Sequence, residues 1–305
     1  LEKLNLLVGD NPFHGISHLS QERARARHIE HAENTSSYAA NLVQLSLENG
    51  ADGFLCSVDE ITLSVIEKLS HSFTGNVQLY VIAPYAYEYV RKSTQTGGVG
   101  GLAASVAKSM IFSKNIRVIA ANLGGLARFE LAALLEAYVA YELSRIKAVS
   151  GKNIRLVSFM LHEIVTDMVL ALNMENLCKS YIKFLEKNNV RPGFETRNFP
   201  YLVSKFSQWG IDFGKITVTT SFNKVGFQMC PSQIDCEAAL EKAKDAEVIA
   251  MSVLAAGYLK PADAFGYISG LDGLSGLVIG VSKEHQAKET FRLFAENPST
   301  APVYA

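Results

Sequence analysis

The chain has 305 residues, 48% of them apolar and 19% charged, which is enough apolar volume for one large core and too little charge for a disordered chain. With 29 Lys and Arg against 30 Asp and Glu, a net charge of -1 supplies no field to attract nucleic acid or an anionic membrane surface. Cys56, Cys178, Cys230 and Cys236 form no CxxC pair, no apolar run reaches about 18 residues, and Leu1–Asp10 lacks the pattern of a secretory leader, so a cytoplasmic protein with reduced thiols is expected.

The first β-rich run, Leu4–Gly9, leads into Asp10-Asn11-Pro12-Phe13-His14-Gly15-Ile16-Ser17-His18, a polar stretch whose length marks a lid or binding loop. Arg23, Arg25, Arg27 and His28 follow, interrupted by Glu22 and Glu30, and read as a solvated face. A helix is predicted over Ser37–Asn49, where Ala40, Val43 and Leu47 make one stripe and Asn41, Gln44 and Glu48 lie off it. Strands at Gly53–Ser57 and Val77–Ala83 flank a helix at Ile61–Leu69. The Gly97–Gly101 cluster does not fit GxGxxG and reads as a loop before a helix at Gly101–Phe112. Further strands are predicted at Ile116–Ala121, Ile154–Leu161, Arg191–Glu195, Ile216–Thr220, Val248–Val253 and Gly276–Val281. Helices are predicted at Phe129–Val149, Val169–Asn188, Pro200–Trp209, Cys236–Lys244, Ala262–Ile268 and Glu284–Phe294.

Strand and helix alternate with crossovers that imply a parallel sheet, and so many repeats in one chain close most naturally into a single (β/α)8 barrel spanning residues 1–305. Nine strand candidates stand for eight barrel positions, so one lies outside the barrel; an open doubly wound sheet is the alternative.

In such a barrel, chemistry gathers at the carboxyl ends of the strands. Those ends carry Asp10, Asn11 and His14; Cys56 through Asp59; Pro84 and Tyr85; His162 and Glu163; Glu195, Arg197 and Asn198; and Asn223 and Lys224. His162, Glu195, Lys224 and Tyr85 are the catalytic candidates, with Asp10, Asn11, His14, Arg197, Asn198 and Asn223 as substrate-binding candidates. Glu195 and Arg197 have a second reading as a structural ion bridge, and His14 and His18 as loop residues bonded to carbonyls. Cys56 reads as a buried filler, and Tyr85, Tyr87 and Tyr89 as either a substrate platform or the wet edge of the core.

The opening Leu-Leu-Val-Gly-Asp-Asn-Pro-Phe-His-Gly, Leu-Glu-Asn-Gly-Ala-Asp-Gly-Phe, Phe159-Met160-Leu161-His162, the Val248–Gly257 segment and Leu277–Ser282 together resemble the aldo-keto reductase superfamily of NADPH-dependent barrels. The resemblance implies that Val248–Gly257 and Leu277–Ser282 hold the last two barrel strands, the latter before a helix that helps hold the cofactor phosphate. Of the family's catalytic set only His162 has a counterpart. Cys56-Ser57-Val58-Asp59-Glu60 and Ala83-Pro84-Tyr85 stand where the family carries Asp and Tyr, and Lys.

At Gly280-Val281-Ser282-Lys283, where a strand turns into the Glu284 helix, unpaired N-H groups and the helix dipole suit an anion, so Gly280, Ser282 and Lys283 form a candidate phosphate or NADPH site. An ordinary Ser282 N-cap is the other reading, and Glu284 in the same turn opposes an anion. The functional readings are an oxidoreductase acting on a small carbonyl- or hydroxyl-containing metabolite, a divalent-metal isomerase or lyase drawing on His14, His18 and Glu163, Schiff-base chemistry at Lys224, or a binding barrel without catalysis.

Overall fold

The computed structural model describes residues 3–14, 35–84 and 131–296. Eight strands run parallel and close in chain order into one barrel: β1 (Asn5–Gly9), β2 (Gly53–Ser57), β3 (Val77–Ala83), β4 (Ile154–Leu161), β5 (Arg191–Glu195), β6 (Thr217–Ser221), β7 (Glu247–Met251) and β8 (Gly276–Gly280). Leu7 sits opposite Gly53 on one side and Val278 on the other, which closes the ring at β1. Eight of the nine strand candidates are these strands. The ninth, Ile116–Ala121, lies outside the described residues, as does the helix candidate Gly101–Phe112; β3 pairs directly with β4, so the barrel closes without either.

The described helices are α1 (Thr35–Glu48), α2 (Glu60–Ser72), α3 (Leu131–Val149), α4 (Glu163–Ala171), α5 (Glu175–Lys187), α6 (Phe199–Gln208), α7 (Gln233–Lys242), α8 (Pro261–Ile268) and α9 (Glu284–Glu296). The single helix expected over Val169–Asn188 is two. Asn173 adopts the left-handed region at φ 54 and ends α4, which starts earlier than expected because the His162 ring caps it. None of the described helices is long and apolar enough to cross a membrane.

Alternation along each strand divides the apolar residues in two. Outward residues such as Val8, Phe54, Val81, Phe159, Phe194 and Val248 pack under the helices. Inward residues Leu7, Leu55, Tyr80, Ile82, Met160 and Ile249 form a separate plug inside the barrel. That plug depends on Gly193, where a Cβ would stand 2.2 Å from Met160 Cγ and 2.7 Å from Ser158 Oγ. Outside the barrel wall, the buried Tyr181 hydroxyl donates to the carbonyls of Phe159 (2.7 Å) and Gly193 (3.1 Å), tying α5 to β4 and β5. The plug shuts the centre, so ligands meet the barrel at its two ends.

Candidate active site

Phe194 faces the outer core, so strand alternation turns the next residue, Glu195, into the barrel at its carboxyl end. The residue is 7% exposed. Burial first, then the neighbouring Glu163 carboxylate, push its pKa to about 8, and Asp10 adds in the same direction; the Glu163 N-H and Arg197 oppose. At neutral pH Glu195 therefore holds its proton. Its Oε2 accepts from the Glu163 N-H at 3.1 Å, while Oε1 makes no hydrogen bond among the described residues.

His162 caps α4, its Nδ1 accepting from the Ile164 N-H at 3.2 Å. That bond assigns the proton to Nε2, which points to Glu195 Oε2 at 4.0 Å. Burial lowers the His162 pKa, with Arg197 acting in the same direction. At this distance, with a neutral imidazole and a protonated carboxyl, the two are polar neighbours rather than an ion pair.

On the other side of the same end, His14 is held between two carboxylates: Nε2 lies 3.1 Å from Asp10 Oδ2 and Nδ1 lies 3.2 Å from Asp59 Oδ2. All three side chains are buried. Asp10 Oδ2 also accepts from the Ser57 N-H at 2.7 Å, and Asp59 Oδ1 accepts from Thr62 N at 2.9 Å in a capping box that starts α2. Burial raises the Asp59 pKa and His14 pulls it back. The sequence places Asp59 at a strand end, but its Asp-x-x-Thr spacing reads as a helix cap, which conceals the second oxygen turned to His14.

Arg197 bridges a third group. Its partner is Glu163, not Glu195 as in the expected ion bridge, because Glu195 turns inward while Glu163 opens α4 beside the Arg197 loop. Arg197 also donates to Gln228 Oε1, which accepts from Ser252 Oγ at 3.1 Å, and Ser252 lies 3.3 Å from Ser221 Oγ. Gln228, Ser252, Ala255 and Ala256 all have positive φ, a concentration of strained backbone at the ends of β6 and β7. Gln228, Ser252 and Asp167 were missing from the expected set. Asp167 receives the Thr196 hydroxyl at 2.5 Å and the Arg197 N-H at 3.2 Å, and no spacing in the sequence marks it.

The remaining candidates fall in different places. Lys224 is exposed, which removes the desolvation that Schiff-base chemistry requires. Asn223 is buried but uses both ends of its amide on its own loop, Nδ2 donating to Phe227 O and Oδ1 accepting from Phe227 N, each at 2.8 Å. Asn198 is the N-cap of α6, accepting from Tyr201 N at 3.2 Å. Asn11 is exposed at the start of a 3-10 turn. Burial, with Asp10 and Asp59 nearby, raises the Cys56 thiol pKa, as suits a filler. Tyr85, Tyr87, Tyr89 and His18 lie outside the described residues.

Of the metal candidates, His18 lies outside the described residues, and His14 and Glu163 are engaged elsewhere. Both His14 ring nitrogens face carboxylates, Glu163 carries Arg197, and no group of three or more His, Cys, Asp or Glu suited to a metal ion occurs among the described residues. At the end of β8, the Ser282 N-H and hydroxyl turn onto Gln286 Oε1 at 3.1 and 3.2 Å. Glu284 is drawn toward α1 by Asn41 Nδ2 at 3.1 Å, and Lys283 is exposed. Gly257, at φ 91, has no atom within 4 Å of where a Cβ would stand. An open turn after β7, an exposed cation and a helix start after β8 fit an anionic cofactor, with Gln286 the group that would yield Ser282 to it.

The barrel is similar to two structures of a candidate aldo-keto reductase from Pseudomonas aeruginosa. The first has a TM-score of 0.56 at 10% identity, and the second 0.55 at 9%, each covering 97% of this chain and 91% of the other. A candidate 2,5-diketo-D-gluconic acid reductase B gives 0.51 at 11% identity, covering 98% and 84%. No family profile and no curated protein sequence matches the chain. The likeness to these structures is one of fold, a closed (β/α)8 barrel, at identities of 9 to 11%.

Proposed function

We propose that the protein is a nicotinamide-dependent oxidoreductase that reduces a small carbonyl compound, with Glu195 as the proton donor. The observation that carries this reading is the buried Glu195 carboxyl, protonated at neutral pH and 4.0 Å from His162 at the strand carboxyl ends. Ser252 and Gly257 after β7 and Gly280, Ser282 and Lys283 after β8 would hold a nicotinamide cofactor, which would supply the electron pair. Such a reduction leaves charge on the substrate oxygen, and a proton must reach it.

Glu195 gives that proton and becomes a carboxylate beside the Glu163 N-H, which already donates to its Oε2 at 3.1 Å. His162 Nε2-H donates to the carbonyl oxygen and orients it. Arg197, fixed by Glu163, keeps one positive charge near the new Glu195 carboxylate. The buried Asp10–His14–Asp59 array forms the opposite wall, and its polar groups bond one another rather than solvent. The fold shared with the candidate reductases supports this reading, as does the open turn after β7.

The test is NADPH oxidation followed with a panel of small aldehydes and ketones. Carbonyl-dependent oxidation is expected in the wild type, with a rate falling as pH rises through about 8. Glu195→Gln should lose about 100-fold or more in kcat while NADPH still binds. No carbonyl-dependent oxidation, or an unchanged rate in Glu195→Gln, would overturn the proposal.

A further inference from the structure

A cavity of about 490 Å³ opens at the amino-terminal end of the barrel, lined by Lys3, Asn5, Asp52, Gln78, Tyr80, Arg155, Arg191 and Glu247 among others. The strand residues among them belong to the first halves of β1, β3, β4, β5 and β7, so the apolar plug separates this cavity from the Glu195 end. Conventional barrel chemistry does not use this end.

Most of its polar groups are matched, and the exceptions are informative. Lys3 pairs with Asp52 at 2.8 Å, and Asp52 Oδ2 accepts from Leu6 N at 3.0 Å. Glu247 accepts from the Tyr80 hydroxyl at 2.6 Å and from Thr217 Oγ1 at 2.7 Å, with Arg191 Nε 3.4 Å away. Burial, reinforced by Glu247, raises the Tyr80 pKa, so the phenol stays a neutral donor.

Both carboxylates are therefore engaged, while Arg155 has no hydrogen bond or ion pair among the described residues and leaves one positive charge uncompensated. Two buried atoms there are also without hydrogen-bond partners among the described residues: the donor Arg191 Nε and the acceptor Asn5 Oδ1. Asn5 cannot turn its amide over without loss, because Nδ2 donates to the Tyr80 hydroxyl at 2.9 Å and to Gln78 Oε1 at 3.3 Å. Arg191 Nε, paired in charge with Glu247 Oε2 at 3.4 Å but not hydrogen-bonded to it, and the open acceptor Asn5 Oδ1 share the cavity with a free guanidinium, which suits a ligand carrying both an anion and a hydroxyl.

We propose that this cavity binds a small hydroxycarboxylate, its carboxylate taken by Arg155 with the aid of Arg191 Nε and its hydroxyl donating to Asn5 Oδ1. A guanidinium offers the planar paired donors that a carboxylate matches, and the volume is that of a small-molecule site. The ligand is bound without chemistry, since among the described residues both carboxylates and the Tyr80 hydroxyl of the cavity are engaged with one another or with neighbouring groups. The proposal is independent of the reaction at the other end of the barrel.

The experiment is calorimetric titration of the full chain with lactate, glycerate and threonate, with propionate, glycerol and inorganic phosphate as comparisons. At least one hydroxycarboxylate should bind saturably, and more tightly than propionate or glycerol. Arg155→Gln, a change at an exposed position whose folding is checked by its unfolding temperature, should weaken that binding by about tenfold or more. Glu195→Gln should leave it unchanged, which separates the cavity from the candidate active site. Absence of binding by all three, equal binding by Arg155→Gln, loss in Glu195→Gln, or a preference for phosphate would each overturn the proposal.

Discussion

Replacing Glu195 by Gln keeps the shape of the side chain and removes its titration, so the variant isolates what a buried carboxyl contributes to stability. The folded pKa of about 8 lies above the ordinary value of 4.5, so between those values the native state holds a proton that the unfolded chain has released. A carboxyl raised in this way contributes fully below its unfolded pKa, and the contribution is lost as pH rises through the folded one. The wild type should therefore lose up to about 1.4 kcal/mol per pH unit across the window relative to Glu195→Gln, or roughly 3 to 5 kcal/mol in all. His162, whose lowered pKa works in the opposite sense, adds stability above its ordinary 6.5 that is lost on acidification. It is present in both proteins and cancels in the difference. Urea unfolding of both proteins at intervals from about pH 5 to pH 9 reads this directly. The curves should nearly meet at the acid end and separate toward the alkaline end, with the variant the more stable; parallel curves would refute the reasoning.

Two further changes probe the support of the site. His14→Leu leaves the buried Asp10 and Asp59 carboxylates without the imidazole between them, so a loss of about 3 to 5 kcal/mol is expected at pH 7 by urea unfolding. That loss should shrink on acidification, as Asp59, whose pKa burial raises, takes up a proton; a pH-independent loss would mean that packing alone is at stake. Gly193→Ala places a Cβ 2.2 Å from Met160 Cγ, and calorimetric melting should show a destabilisation of about 1 to 3 kcal/mol; combined with Met160→Ala, the double change should cost less than the sum of the two single changes, and strict additivity would mean that the two side chains do not meet.

The barrel was legible because strands buried on both faces are continuously apolar and each is separated from the next by a helical period, as at Val77–Ala83 and Leu131–Val149. The inward turn of Glu195 is also readable, given that Phe194 belongs to the core. What stayed hidden depends on where loops meet. Arg197 lies two residues from Glu195 in the chain yet pairs with Glu163 from the preceding strand end, and nothing in either segment encodes that approach. Asn198 and Asn223 sit at strand ends in the sequence just as ligand-binding residues would, but each satisfies local backbone, one capping a helix and the other closing a turn. The division between α4 and α5 rests on a left-handed Asn173 with no Gly or Pro to announce it.

Proton donation from Glu195 requires that this one carboxyl be protonated, and infrared difference spectroscopy of its stretching band, assigned by comparison with Glu195→Gln, follows that group alone. A protonated Glu195 band that persists through neutral pH and disappears with a midpoint near 8 is the predicted result. A midpoint near the ordinary carboxyl value of 4.5 would mean that Glu195 is ionised at neutral pH and cannot be the proton donor.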